Sequence, residues 1–329
     1  MRFPALLLAF GLLAPGPAFA AACAGNSILA EVERDRPEVW QKTLADLEAT
    51  PNSTGLFWKI EKDGASPSWL LGTMHVPDPE ITTFKPAVVA AFEKSDVLVL
   101  ELKEKFSEGK LALAQKLLPY AQLPEGESFD ADFTKEQKDA LGKMTAAVGM
   151  PYFLARKMKP WFLAVALALP PCLQAAMMRG EQGVDEKLQQ DALAAGKRLA
   201  GLETVDEQIS ALASLESAID ATALLELVEL GANRNDDLFA TQVESYLQER
   251  ASLALFLTLN MPEFQESADA FRAIEGALLH DRNLRMHERL LPILEKGNAF
   301  VGVGALHLQG TGGLIERLRA SGYSVTRVE

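Results

Sequence analysis

The polarity pattern of the chain changes period along its length. Short apolar runs come first: Leu56-Phe57-Trp58-Lys59-Ile60, a turn through Asp63-Gly64 and Pro67, then Trp69-Leu70-Leu71 closing on Gly72-Thr73-Met74-His75. Val97-Leu98-Val99-Leu100-Glu101-Leu102 follows, and near the far end Phe300-Val301-Gly302-Val303 closes on Gly304-Ala305-Leu306-His307. Each run is short and bounded by polar or glycine-containing turns, which predicts strands leading to the carboxyl side of a sheet. Between them, residues 104–295 place apolar side chains at three- and four-residue spacing, as in Leu224-Leu225-Leu227-Val228. Pro124, Pro151, Pro170, Gly180, Gly231 and Pro262 punctuate this stretch, so it predicts a series of helices. One short strand, Arg198–Glu203, is expected to interrupt them.

The two ends repeat one plan: strand, Gly-x-x-His, loop, amphipathic helix, strand. The helices are expected at residues 85–94 and 312–321, and the following strands at 97–102 and 323–328. Each copy has the layout of a βαβ unit, which favours parallel strands joined by a right-handed crossover. The expected fold is therefore α/β: a central, mostly parallel sheet from two pseudo-repeated halves, with a large helical insertion at about residues 104–295 in a single domain of residues 21–329.

The domain starts at residue 21 because Met1-Arg2, the apolar run from Phe3 to Leu13 and Ala18-Phe19-Ala20 have the layout of a signal peptide with its cleavage site. The chain is thus expected to be exported, periplasmic or secreted. No later segment reaches the roughly 20 apolar residues that span a bilayer, and residues 161–169, which stop at Pro170-Pro171, read as a buried helix. A formal net charge of −13 and the lack of a basic stripe argue against nucleic acid as a partner. Cys23 and Cys172 are the two cysteines. In an oxidising compartment a disulfide between them is one state; a lipid-anchored Cys23 and a free buried thiol are the others.

A glycine after a buried strand lets the backbone turn and approach a ligand, and the histidine three residues on projects at the strand's carboxyl edge. Two such turns bring His75 and His307 to one edge, as ligands or catalysts, or as satisfied structural histidines. Glu101 lies inside an apolar strand, where a lone carboxylate is costly; it needs a metal, a cation or dense hydrogen bonding, unless the strand ends there in solvent. Two imidazoles and a carboxylate suit Mn²⁺, Co²⁺, Fe²⁺ or Zn²⁺.

Asp281-Arg282-Asn283 opens a helix, with Asp281 as a plausible N-cap. Arg282 has the charge to face a developing oxyanion and Asn283 the amide to orient a water or substrate, although helix-start polar residues also serve as caps and surface pairs. His280 and His287, seven apart, read as one solvated helix face. Thr204 and Glu207 have capping-box spacing, leaving Glu203 as a supporting or acid/base carboxylate, and Asp185 reads as a helix cap. No Gly-x-Ser-x-Gly elbow, P-loop, dinucleotide fingerprint or Cys-x-x-Cys occurs.

Taken in order, Gly72-Thr73-Met74-His75, the Glu101 strand end, Gly183-Val184-Asp185, Gly201-Leu202-Glu203-Thr204 with Gln208, Arg282-Asn283, and Gly304-Ala305-Leu306-His307 with Gly310 and Gly322-Tyr323 resemble the TraB/GumN family. That family belongs with the Tiki proteins, metal-dependent proteases described by two Gly-x-x-His motifs and a glutamate. It is linked more distantly to erythromycin-esterase-like and haem-binding ChaN-like proteins. The resemblance implies a metal site of His75, His307 and Glu101, holding Mn²⁺ or Co²⁺ in preference to Zn²⁺ or Fe²⁺. Glu101 would be ligand or general base, with Arg282 and Asn283 as its companions. The implied activity is hydrolysis of a peptide or protein substrate by metal-activated water. The alternatives are a haem- or cofactor-binding protein, and a non-catalytic accessory factor in envelope or exopolysaccharide assembly. No carboxyl-terminal anchor follows the second motif, so the signalling role of the animal Tiki proteins is not implied.

Overall fold

The computed structural model describes residues 23, 25–102, 110–231, 235–264 and 275–328; the expected leader, residues 1–20, lies outside them. Six strands form one sheet: β1 Phe57–Glu61, β2 Ser68–Thr73, β3 Val97–Leu102, β4 Arg198–Glu203, β5 Ala299–Gly304 and β6 Ser324–Arg327. Their spatial order is β4-β3-β5-β2-β1-β6. β4, β3, β5 and β2 pair in parallel, and β1 runs antiparallel to both its neighbours. The reversal at β1 follows from its short link to β2 through Asp63-Gly64, since only antiparallel neighbours can be joined by a tight turn.

The strands read as continuous apolar runs because both faces of the sheet are covered. On one face Trp58, Leu70, Val97, Val99, Val301 and Val303 meet Met286, Leu290 and Leu294 of the helix Asp281–Leu294, and Leu314 and Leu318 of the helix Leu314–Ala320. On the other, Phe57, Leu71, Leu98, Leu100 and Phe300 meet Val88 and Ala91 of the helix Pro86–Lys94, and Val184, Leu188 and Ala192 of the helix Val184–Ala194. The molecule is a mixed α/β structure with a six-stranded, mostly parallel sheet.

Both strand–helix–strand connections join parallel strands, but they differ in reach. From β2 the chain crosses over one strand, β5, to reach β3; from β5 it crosses β2 and β1 to reach β6. The two crossovers run in opposite directions and lie on opposite faces, so they share one hand.

The stretch 104–295 holds more of the sheet's own layers than its periodicity indicates. β4 extends the sheet beside β3, Val184–Ala194 covers one face and Asp281–Leu294 the other. A helix packed on a sheet has the same 3.6-residue stripe as one packed on helices, so the pattern alone does not separate them. Helices between these segments build satellite clusters, one around Leu141, Leu163, Leu167, Leu224 and Val228. Residues 161–168 belong to the helix Pro160–Ala168, which Leu169 caps, with Trp161, Leu163 and Leu167 buried. Among the described residues no single helix is long and apolar enough to cross a membrane; Pro160–Ala168 and Pro171–Met178 meet at a bend of 86°.

Cys23 and Cys172 form a disulfide, which leaves no thiol at Cys23 for a lipid. It ties the start of the described chain to the helix Pro171–Met178 across 149 residues. A loop of that length gives a large reduction in unfolded-chain entropy. The Cys23→Ser/Cys172→Ser double variant is expected to lose about 2–5 kcal/mol of unfolding free energy in urea titration. Reduced wild type should show the same loss.

Candidate functional site

Parallel strands end at the same edge of a sheet, and here four neighbours deliver polar groups to it. β4 ends in Glu203, β3 carries Glu101, β5 leads through Gly304 to His307, and β2 leads through Thr73 to His75. The two glycines are needed for close approach rather than for unusual backbone angles. A Cβ on Gly304 would stand 3.3 Å from Glu101 Oε1 and from His75 Nε2, and one on Gly72 would meet the Ala305 backbone at 3.0 Å.

Glu101 is 7% exposed and fully hydrogen-bonded. Its Oε1 accepts the Gly304 N–H at 2.7 Å, and its Oε2 accepts from Arg282 Nη2 at 2.7 Å and Gln208 Nε2 at 3.1 Å. Burial pushes this carboxyl's pKa up, but His75, His307 and Arg282 outweigh burial and hold it well below the usual range. Glu101 is therefore an anchored anion and not a solvated strand end.

The histidines face it unequally. His75 Nδ1 lies 2.5 Å from Asp185 Oδ2, and its Nε2 is 3.6 Å from Glu101 Oε1. Desolvation opposes charge on this ring, yet Asp185 and Glu101 together raise its pKa well above the ordinary histidine value. His307 is 3% exposed; its Nδ1 is 2.7 Å from Asn283 Oδ1 and its Nε2 is 3.7 Å from Glu101 Oε1. Its pKa falls to about 4, chiefly through burial, with Arg282 and His75 adding to the effect against Glu101. The two carboxylates thus favour the charged form of His75, while burial favours the neutral form of His307.

Arg282 is committed to carboxylates. Its Nε–H donates to both oxygens of Glu203 at 3.0 and 3.2 Å, its Nη2 to Glu203 and Glu101 at 2.7 Å each, and its Nη1 to the Leu278 carbonyl at 3.1 Å. These bonds leave little capacity for the oxyanion role its position in the sequence invites. They instead make Glu203, whose side chain is fully buried, the counter-ion that locks the guanidinium. Asn283 donates from Nδ2 to the Gly312 carbonyl at 3.1 Å, which turns its Oδ1 toward His307 Nδ1. It orients a histidine here, and not a water or a substrate amide. His287 bonds Ser321 at 2.9 Å and His280 is exposed, so neither joins this centre.

Three local expectations change. Asp281 is not the N-cap of its helix, because a π-helical turn, Gly276–His280, runs directly into it. His280 is exposed but His287 is half-buried against Ser321, so the two do not form one solvated face. Asp185 makes no cap bond: Gly183 is the N-cap, and Asp185 is 6% exposed against His75. The capping box of Thr204 and Glu207 forms as its spacing predicts. Tyr246, absent from the sequence-based site, donates its hydroxyl to the Gly72 carbonyl at 2.8 Å and steadies the first Gly-x-x-His turn.

Two imidazole nitrogens and a carboxylate oxygen are suitable in kind for a divalent ion. As the side chains stand, no group of three or more His, Cys, Asp or Glu among the described residues is arranged as a ready metal-holding set. Glu101 Oε1 is already bonded to Gly304 N–H, and the two Nε2 atoms stand back from it at 3.6 and 3.7 Å.

Residues 56–327 match the TraB/PrgY/gumN family. The protein YbaP of Shigella flexneri is 25% identical over 263 residues, covering 79% of this chain and 90% of its own length. YbaP of Escherichia coli K12 is 24% identical over 253 residues, covering 76% and 87%. No solved structure matches the chain.

Removing Arg282 would leave buried Glu101 with no guanidinium and Glu203 with only the longer contact to Arg285 at 3.4 Å. Arg282→Leu is expected to lower the unfolding free energy at pH 7 by about 3–5 kcal/mol. Arg289→Leu, which breaks an exposed pair with Glu207, should cost no more than about 1 kcal/mol. Paired urea titrations measure both.

Proposed function

The chain belongs to the TraB/PrgY/gumN family, and we propose that it is an exported, divalent-metal-dependent hydrolase that cleaves an amide or peptide bond, in the manner of the Tiki-like metalloproteases its motifs resemble. In this reading residues 21–329 form one domain, and the two strand–Gly-x-x-His–helix–strand units are copies of one plan. The disulfide is in keeping with export to an oxidising compartment.

The observation that carries the proposal is the convergence of three electron-rich atoms on one point. With both Nδ1 atoms turned away toward Asp185 and Asn283, the Nε2 atoms of His75 and His307 face Glu101 Oε1. Lone pairs so arranged repel one another unless a cation stands among them. In the metal-free chain the proton on His75 serves that purpose; in the working protein His75, His307 and Glu101 would hold a divalent ion, Mn²⁺ or Co²⁺ first and Zn²⁺ or Fe²⁺ next. Such an ion, when bound, acidifies a water and polarises a carbonyl.

The remaining chemistry falls to the chain's own groups. Glu101, held far below the usual carboxylate pKa, is a weak proton acceptor and fits the part of ligand better than that of general base. Arg282 and Glu203 keep it in place from the far side. His75, whose side chain is 53% exposed, marks the side from which a peptide or protein substrate reaches the centre.

Metal analysis of protein purified without chelator and re-dialysed against Mn²⁺, Co²⁺ or Zn²⁺ tests this. Near-stoichiometric metal in wild type, lost in a folded His75→Ala/His307→Ala double variant, is the expected result. A folded wild type that takes up no metal sinks the hydrolase and favours an accessory factor, while a Soret band on haem addition would replace it with a haem-binding role.

Proton competition gives a second prediction. Because His75 has a raised pKa, its proton must leave before a metal enters, so apparent affinity should fall with acidification beginning above the ordinary histidine range. Metal uptake should release protons, measurable by calorimetry in buffers of different ionisation enthalpy, and the release should grow as the pH is lowered from the alkaline side.

A further inference from the structure

The two histidines differ in what holds their rings. His307 has a side chain only 4% exposed and is packed on all sides, so its orientation is enforced by the core as well as by Asn283. His75 has a side chain 53% exposed, and its principal restraint is the 2.5 Å contact of Nδ1 with Asp185 Oδ2.

Asp185 is built for rigidity. It sits in the first turn of the Val184–Ala194 helix, where the helix dipole favours a carboxylate. It is 6% exposed, and its neighbours Val184 and Leu188 are seated in the sheet's core at 0% and 1%. The helix start also presses on the His75 backbone: a Cβ on Gly183 would stand 3.4 Å from Val76 N and 3.5 Å from the His75 carbonyl carbon. The carboxylate is thus fixed by packing before it meets the imidazole.

We infer that Asp185 is the positioning residue for His75: it accepts the Nδ1–H, sets the tautomer that leaves the lone pair on Nε2, and holds the half-exposed ring toward Glu101 and His307. A carboxylate is an acceptor, so a neutral ring bonded to it through Nδ1 carries its proton there. This deepens the hydrolase reading and rests on it only for the use to which Nε2 is put. The positioning itself belongs to the metal-free chain and can be measured there.

The chain has four histidines, so ¹⁵N-histidine labelling of the metal-free protein gives few signals, and a His75→Gln spectrum assigns the one in question. In solution alkaline enough for every ring to be neutral, wild-type His75 is expected in the Nδ1–H form. Asp185→Asn, whose amide oxygen also accepts, should preserve that form, whereas Asp185→Leu should let the ring populate the Nε2–H form with the His307 signal unmoved. Wild-type His75 in the Nε2–H form overturns the inference whether or not any variant folds; so does an unchanged His75 in folded Asp185→Leu. Cobalt titration separates the two proposals. Asp185→Leu should bind Co²⁺ about 10- to 100-fold more weakly than wild type. An Nδ1–H ring in a wild type that binds none of Mn²⁺, Co²⁺ and Zn²⁺ would uphold the positioning and remove the hydrolase.

Discussion

A carboxylate inside a sheet has to be compensated, and the compensation of Glu101 organises the surrounding structure. Its two oxygens are met by a backbone N–H from β5, a side-chain amide from the helix Val205–Ala213 and a guanidinium from the helix Asp281–Leu294. Those three donors are 203, 107 and 181 residues away in sequence, so the charge gathers distant parts of the chain at one point. Each donor is itself held: Gly304 by the sheet, Gln208 by a capped helix, Arg282 by Glu203. An unpaired ion in this position would cost several kcal/mol, so the network is a condition of the fold as much as of the site.

The same centre shows how second partners divide the work of two similar groups. Asp185 and Glu101 draw charge onto His75, while deep burial, with Arg282 and His75 adding to it, keeps His307 uncharged. Two Gly-x-x-His turns that look alike in sequence thus differ in the charge state their surroundings favour and in exposure. The difference comes from the helices laid over the sheet, one of which presents a carboxylate and the other a carboxamide.

The strand ends were readable because apolar runs buried on both faces stop abruptly at glycine, and the His75, Glu101 and His307 edge followed from them. The insertion of β5 between β2 and β3 was not readable: no local pattern in Phe300-Val301-Gly302-Val303 records which strands it will separate. Asp185 was misread because an acidic residue in a first helical turn satisfies the dipole whether it caps or reaches outward. Arg282 and Asn283 lay at the centre, but their partners decide their roles. Glu203, Leu278 and Gly312 come from three separate segments, and only the assembled structure brings them within hydrogen-bonding distance.

The position of β5 has a consequence for the order in which the molecule can form. β2 and β3 do not pair with each other; each pairs with a strand that leaves the ribosome, or emerges from a translocation channel, about two hundred residues later. Until then both present open, apolar edges of the kind that invites mispairing, and contacts of such long sequence separation form slowly. His307 and the Gly304 amide arrive on that same late segment. A nascent chain therefore carries no partly assembled centre: closing the sheet and completing the polar site are one event, and both wait for β5.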